Sequence, residues 1–370
     1  MIRIHVIGTR GFPNVQGGVE THCEELYKRL AVYNDLEIRV YRRSCYLKNQ
    51  PAENVYNTIE FVDIWAPKNK YFETITHTFL CVIMSLYRRP DIIHFHNMGP
   101  GLFIPFVRLF SIKTVLTYHS QNYLHKKWGW FSQLILRLGE IISIKFSNKV
   151  IFISNNIKNY MESKYQIKNF EYISNGVNVT GKSDSKDYLD SLKLISGKYI
   201  LAVGRFTPEK GFDYLIKAYI ELGVIEYKLV LVGEADRASK YSNDLIKSVH
   251  DNKNIVLTGF INGEDLRQIY SNAYLFVISS YQEGLPLVLL DAMNYGLNIL
   301  ASDIPANIEA GLDKNCYFKT GDVKDLKDKI DKTLIEHKSG ANYKENLEDN
   351  YNWDKSAKAT YNIYKLLSKK

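Results

Sequence analysis

Short apolar runs alternate with longer amphipathic stretches along the first half of the chain. Residues 2–8, 37–41, 59–62, 92–96, 115–119, 149–154 and 170–174 are rich in Ile, Val and Phe and read as strands. Residues 19–33, 72–88 and 131–146 carry apolar positions three and four apart and read as helices. Asn175-Gly176 is a turn dipeptide, and the segment 179–198 that follows is polar, with Gly, Ser and Asp, so it reads as a linker region. The alternation then restarts. Residues 199–203, 228–232, 254–257, 273–280 and 297–301 read as strands, and 212–221, 241–250, 264–271 and 287–295 as helices. The last periodic stretch, 353–367, aligns Trp353, Ala357, Tyr361, Tyr364 and Leu367. Strands that alternate with helices predict parallel sheets covered on both faces. The expected fold class is therefore α/β, with two Rossmann-like doubly wound domains, one over 1–178 and one over 199–354. Such domains bind ligands at the carboxyl ends of their strands, so two in sequence predict facing sites across a cleft.

Size and charge sharpen this picture. The 370 residues exceed the length at which one core keeps growing, which agrees with two domains. A hydrophobic fraction of 45% and a charged fraction of 24% belong to a globular protein. No run reaches the roughly 18 uncharged apolar residues of a membrane span; the nearest, 101–118, is broken by Arg108 and Lys113. The first strand starts at once, without the basic and apolar regions of a signal peptide, so a cytoplasmic location is expected. Cys23, Cys45, Cys81 and Cys316 are scattered and read as reduced thiols. Residues 1–178 hold 22 Lys and Arg against 13 Asp and Glu, whereas the remainder holds 26 against 27. The first half is thus the part expected to meet something anionic.

Four corners carry candidate chemistry. At 281–296, YQEGLPLVLLDAMNYG, a strand runs through a Gly/Pro turn into a helix. Backbone N–H groups at Gly284 and Leu285 and the helix dipole favour an anion there. Glu283 and Asp291 supply carboxylates suited to sugar or ribose hydroxyls; the plain alternative is an ordinary βα unit with a solvated Glu. At 203–210, VGRFTPEK, Gly204 precedes two cations, Arg205 and Lys210, which can neutralise a diphosphate. At 257–261, LTGFI, Gly259 and Phe260 end a strand and can present backbone groups to a nucleobase. At 8–20, GTRGFPNVQGGVE, Gly17 and Gly18 let backbone approach a ligand, with Glu20 in the first helical turn; the motif is not G-x-G-x-x-G. His119 ends a strand and is expected to point into the cleft. Beyond it, Lys126, Lys127, Trp128 and Trp130 mix basic and indole side chains, as membrane interfaces do; a solvated basic loop is the alternative. No nucleic-acid motif is present, so no nucleic-acid partner is expected. The spacing shows no D-x-D triplet and no His/Cys ligand cluster, so no metal is expected and Arg205 with Lys210 take the counter-charge role.

Together these motifs resemble the retaining family 4 glycosyltransferases of the GT-B fold, over nearly the whole chain. The carriers are 203–211, 279–296 and the GGVET run at 17–21. The segments GTRGFPNVQGGVETHCEEL and HSQNYLHKKWGWF are similar to the subgroup of bacterial rhamnosyltransferases and related surface-polysaccharide enzymes. The resemblance implies a hexosyltransferase that takes a nucleotide-diphosphate sugar as co-substrate, without metal or other cofactor. It implies a saccharide acceptor, polyprenyl-linked at the inner membrane surface, in capsule or O-antigen synthesis. By motif, Arg205 and Lys210 would hold the diphosphate, Glu283 the donor-sugar hydroxyls and Asp291 the ribose. His119 would lie beside the donor sugar, and Gly17 and Gly18 would approach from the facing domain. The last helix, 355–370, would return to the first domain. One departure is visible: the family pattern Glu, seven residues, Glu here ends in Asp291, shorter by one methylene, about 1.5 Å.

Other classes make different predictions. A sugar-nucleotide epimerase of the same architecture would convert donor with no acceptor. A non-catalytic nucleotide-sugar-binding partner subunit would bind donor without turnover. A nicotinamide oxidoreductase needs a glycine fingerprint that neither half carries.

Overall fold

The computed structural model describes residues 1–47, 56, 58–69, 72–121, 123, 129–336 and 340–369. The membrane candidates Lys126, Lys127 and Trp128 lie outside the described residues. The chain divides into two compact units, Met1–Asn175 with Asn352–Lys370, and Gly176–Tyr351.

The first unit is a seven-stranded, all-parallel sheet of β1 (Ile2–Ile7), β2 (Leu36–Arg43), β3 (Ile59–Ile64), β4 (Ile92–His96), β5 (Lys113–Tyr118), β6 (Lys149–Phe152) and β7 (Phe170–Tyr172), in the order β3-β2-β1-β4-β5-β6-β7. Ile4 sits between Ile38 on one side and Ile92 on the other. Strands covered on both faces must be apolar on both, which explains the continuous runs in β1 and β4. One face packs Val6, Leu26, Tyr27, Ala357 and Tyr364 together; the other packs Ile7, Phe95, Cys81, Met98 and Ile144. The last helix, Trp353–Ser368, belongs to this unit. It lies on the helix Gly18–Leu30, with Tyr361 stacked on Tyr33 at 3.9 Å and Asp354 Oδ1 accepting from Arg29 Nε at 2.8 Å.

The second unit repeats the plan with β8 (Tyr199–Val203), β9 (Lys228–Val232), β10 (Ile255–Gly259), β11 (Leu275–Ile278), β12 (Asn298–Ser302) and β13 (Tyr317–Phe318), ordered β10-β9-β8-β11-β12-β13 and again parallel. In each sheet the strand order reverses between two central strands, β1 and β4 or β8 and β11. Their carboxyl ends are where such folds place ligands.

Two sequence expectations are corrected. The segment 179–198 is packed within the second unit instead of acting as a free linker: Ser183 N donates to Ser271 Oγ at 2.8 Å and Tyr188 N to Gln268 Oε1 at 2.9 Å. Polar side chains on the helix Gly263–Asn272 take the backbone donors that composition assigned to solvent. The strand expected over 149–154 stops at Phe152, because Ser154 caps the helix Asn155–Tyr165, its Oγ accepting from Ile157 N at 3.4 Å. Pro286 is the N-cap, at φ −78° and ψ 100°, and the helix begins at Leu287, where the sequence spacing places it. Among the described residues no helix is long and apolar enough to cross a membrane.

Candidate functional site

In the second unit the loops after β8 and β11 meet. Gly204 and Arg205 follow β8 directly. Lys210 ends a short turn, Pro208–Lys210, and Gly211 then opens the helix Phe212–Leu222. Gly211 has φ 63°, and a Cβ there would stand 2.2 Å from the Ser279 carbonyl oxygen; only glycine lets the two loops approach this closely. Two bonds tie them: Ser279 Oγ donates to the Lys210 carbonyl at 2.8 Å and Tyr281 N to the Glu209 carbonyl at 2.8 Å. Lys210 therefore reaches Glu283, Nζ to Oε1 at 2.5 Å, and Ser280 Oγ donates to the same Oε1 at 2.6 Å. Gly204 leaves room for the lysine stem, whose Cδ and Cε would lie 3.2 Å from a Cβ at that position.

Arg205 is held differently. Its Nη1 donates to Asp236 Oδ2 at 2.7 Å. Asp236 lies past the end of β9, and the sequence reading missed it; a carboxylate just beyond the neighbouring strand was the available signal. The loop after β9 also receives β10, since Gly233 N donates to the Gly259 carbonyl at 2.9 Å. Gly259 has φ 72° with open space where a Cβ would be, and Phe260 beside it is half-buried. Arg205, Lys210, Glu283, Gly204, Gly284 and the backbone around Leu285 thus gather at the carboxyl ends of β8 and β11, with Gly259 and Phe260 two strands away along the same edge. Both cations are engaged by carboxylates. Asp291, half-buried, lies inside the helix Leu287–Asn294; burial first and its charge second raise the pKa of Tyr270, which stacks on Tyr295 at 5.3 Å.

The first unit carries a different constellation at the carboxyl ends of β1, β4 and β5. Gly17 has φ 147°, and a Cβ there would stand 2.1 Å from Glu20 Oε2, so the glycine makes room for a buried carboxylate. Glu20 Oε1 accepts from Arg10 N at 3.0 Å. Gly18 starts the helix and has open space at its Cβ position. His119, one residue past β5, is 5% exposed, and its ring is turned onto other histidines. Its Nε2 pairs with His96 Nδ1 at 3.0 Å, and its ring lies 4.6 Å edge-on from His22. The chain of bonds continues: His96 Nε2 to Tyr27 Oη at 2.8 Å, Tyr27 Oη to His94 Nδ1 at 3.0 Å, and His94 Nδ1 to Tyr364 Oη at 2.6 Å. His94 Nε2 meets Thr117 Oγ1 at 2.7 Å. His22 Nδ1 meets Asn175 Oδ1 at 2.6 Å, while its buried Nε2 has no partner. Burial lowers the pKa of His22 to about 4 and of His94 to about 3. Burial, then the neighbouring imidazoles, hold His96 and His119 well below the usual range, so the whole group is neutral near pH 7.

The expectation of no histidine cluster is therefore corrected. His22, His96 and His119 bring three ligand atoms within 4.8 Å of one another. These are residues that could hold a metal. The bond between His96 Nδ1 and His119 Nε2 puts a proton on one of the two nitrogens, and that proton would have to leave first. Positions 22, 96 and 119 share no spacing; β4 and β5 pairing beside the first helix brings them together. Of the membrane candidates, Trp130 is described, at the start of the helix Trp130–Phe146 and 77% exposed.

Residues 16–180 match the family model described as Glycosyltransferase Family 4, and residues 184–350 the model described as Glycosyl transferases group 1. An uncharacterized glycosyltransferase of Methanocaldococcus jannaschii is 26% identical over 393 residues, covering 95% of each chain. A second from that organism is 32% identical over 178 residues, 46% of this chain and 45% of that one, so the chain matches under half of that relative's length. The UDP-Gal:alpha-D-GlcNAc-diphosphoundecaprenol alpha-1,3-galactosyltransferase of Escherichia coli is 26% identical over 256 residues, 64% of this chain and 63% of that protein. Sucrose-phosphate synthase from Thermosynechococcus elongatus shares the fold with a TM-score of 0.84 at 20% identity, covering 99% of both chains. The chain is a glycosyltransferase of the two-domain GT-B fold, its first domain of the Family 4 type and its second of the group 1 type.

Proposed function

We propose that the chain transfers a hexosyl unit from a nucleotide-diphosphate sugar, with retention, to a polyprenyl-linked saccharide acceptor in capsule or O-antigen synthesis. The observation that carries the donor side is the Arg205, Lys210 and Glu283 corner, where two cations and a carboxylate meet at the switch point of the second sheet. The acceptor side draws on the Escherichia coli relative, whose name specifies a diphosphoundecaprenol acceptor.

In this reading Lys210 moves from Glu283 to the diphosphate, and Arg205 moves from Asp236. Glu283 is then open to the donor-sugar hydroxyls. The bond from the anomeric carbon to the diphosphate oxygen breaks as the acceptor oxygen bonds to the same face. The acceptor proton passes to the departing diphosphate. The counter-charge comes from side chains, without metal, and the neutral His119 contributes its ring or carbonyl beside the sugar. Asp291 serves the ribose, and Gly204, Gly259, Phe260, Gly284 and Leu285 line the nucleotide with backbone groups. The protein works in the cytoplasm, at the inner face of the membrane that carries its acceptor.

The test is transfer from UDP-, GDP- and dTDP-sugars to a polyprenyl-diphosphate saccharide, with product configuration read by NMR. Retained configuration and a donor-alone control free of conversion are expected. An inverted product contradicts the retaining assignment, and epimerised donor without acceptor contradicts transfer.

A further inference from the structure

Two helices of the first unit carry exposed apolar stripes. On the helix Glu73–Arg88 and at its N-cap, Phe72, Ile75, Phe79, Ile83 and Tyr87 recur at helical spacing and are exposed, Tyr87 to 87%. The opposite side of that helix, with His77, Cys81 and Val82, is buried. On Trp130–Phe146, Trp130, Leu134, Leu138 and Ile141 form a second exposed stripe. Residues 103–110 bridge the two helices: Phe79 packs on Phe103 at 6.3 Å, and Arg108 Nη1 donates to the Phe146 carbonyl at 3.0 Å. In that segment Leu109 is 80% exposed and Phe110 also faces solvent.

The exposed charges that the two helices, the Arg89 cap and residues 103–110 carry all have one sign. They are Arg88, Arg89, Arg108, Arg137 and Lys145. Residues 72–146 contain three acids, and none is left to offset them. Glu73 is buried against Arg43 at 2.6 Å, Glu140 is buried against Lys164 at 2.9 Å, and Asp91 pairs with Arg3 at 3.5 Å. An exposed apolar face of this kind marks an interaction site. A second copy of the same face would set cation against cation. An anionic lipid surface complements both properties, taking the apolar and aromatic side chains at the acyl boundary and the cations at the headgroups.

We infer that the first unit docks on an anionic membrane through the helices Glu73–Arg88 and Trp130–Phe146 and residues 103–110. The purpose of this docking rests on the proposed lipid-linked acceptor; the surface itself does not. Of the sequence candidates Lys126, Lys127, Trp128 and Trp130, this contact includes Trp130 and adds the two helices.

Flotation with phosphatidylcholine vesicles, with and without phosphatidylglycerol, tests it. Binding is expected only with the anionic lipid and is expected to fall in high salt. Arg88→Glu with Lys145→Glu is expected to weaken binding by more than roughly tenfold. Tyr87→Ser with Leu109→Ser is expected to weaken it by roughly threefold to tenfold while leaving the salt dependence. All four side chains are exposed, so the melting curve serves as the folding control. Equal binding to neutral and anionic vesicles, binding unchanged in both double variants, or equally tight binding to duplex DNA overturns the inference. Transfer to the acceptor in detergent separates the two readings. Normal transfer with no vesicle binding removes the docking alone, and vesicle binding without transfer removes the proposed acceptor alone.

Discussion

At its switch point the second unit gathers Arg205, Lys210, Glu283 and Asp236, all charged groups held in short ion pairs. At its own switch point the first unit gathers His22, His94, His96 and His119, all buried and held neutral by desolvation. One topology thus supports two chemistries. The ion pairs of the second unit hold charge that another anion can take over, which is what the proposed diphosphate site requires. The imidazoles and phenols of the first unit form a dry, uncharged hydrogen-bonding network, which is what the proposed sugar-side role of His119 requires.

The comparison breaks most visibly at the ionic corner. Arg205→Ala and Lys210→Ala are each expected to lower kcat/KM by about 10²–10³ while leaving the melting temperature within about 2 °C, because each removes a partly exposed group that the proposed mechanism sets against developing charge. Near-normal transfer by both variants would remove the diphosphate assignment.

Acid should separate the units next. His5 is lowered to about 3 and His77 to about 4, both mainly by burial, against an ordinary value of 6.5. As pH falls through 6.5 the unfolded chain takes up these protons first. Their contribution is therefore complete above about 6.5 and is lost progressively toward pH 3, on the order of a few kcal/mol. Among the described residues of the second unit the one histidine, His250, is exposed. All four tryptophans, at 65, 128, 130 and 353, belong to the first unit. Tryptophan fluorescence should therefore report acid unfolding at a higher pH than the circular dichroism of the whole chain, and coincident transitions would deny the difference.

A smaller effect concerns how the last helix supports the histidines. Tyr364→Phe removes the 2.6 Å bond to His94 and is expected to cost about 1–3 kcal/mol. This would appear as a lower midpoint in the tryptophan-monitored denaturant curve; an unchanged midpoint would show that the network does not depend on that hydroxyl. The smallest change is expected from Asp291→Glu, which restores the missing methylene. Donor KM should fall by under roughly fivefold with kcat unchanged, and a large loss of kcat would place Asp291 closer to the chemistry than the ribose.

The strands and most helices were legible because parallel strands buried on both faces must be apolar throughout. The helix Val323–Glu336 was legible too, in the spacing of Val323, Leu326, Ile330 and Leu334, though it was not read. Arg205, Lys210 and Glu283 were visible as types at strand ends. Their pairing was not, because Asp236 and Ser280 become partners only when neighbouring strands align. The histidine network was hidden for the same reason: Tyr364 lies 270 positions from His94 and meets it only once the last helix returns. The segment 179–198 misled because polar composition describes the side chains, whereas its backbone donors are taken by Gln268 and Ser271.

The ionic corner as a diphosphate site is tested most directly by calorimetric titration of wild type and Lys210→Ala with UDP, GDP and dTDP, and with the matching monophosphates. The wild type should bind one of the diphosphates, Lys210→Ala should bind it at least about tenfold more weakly, and the monophosphate should bind both proteins alike. Equal diphosphate affinity in the two proteins would contradict the account.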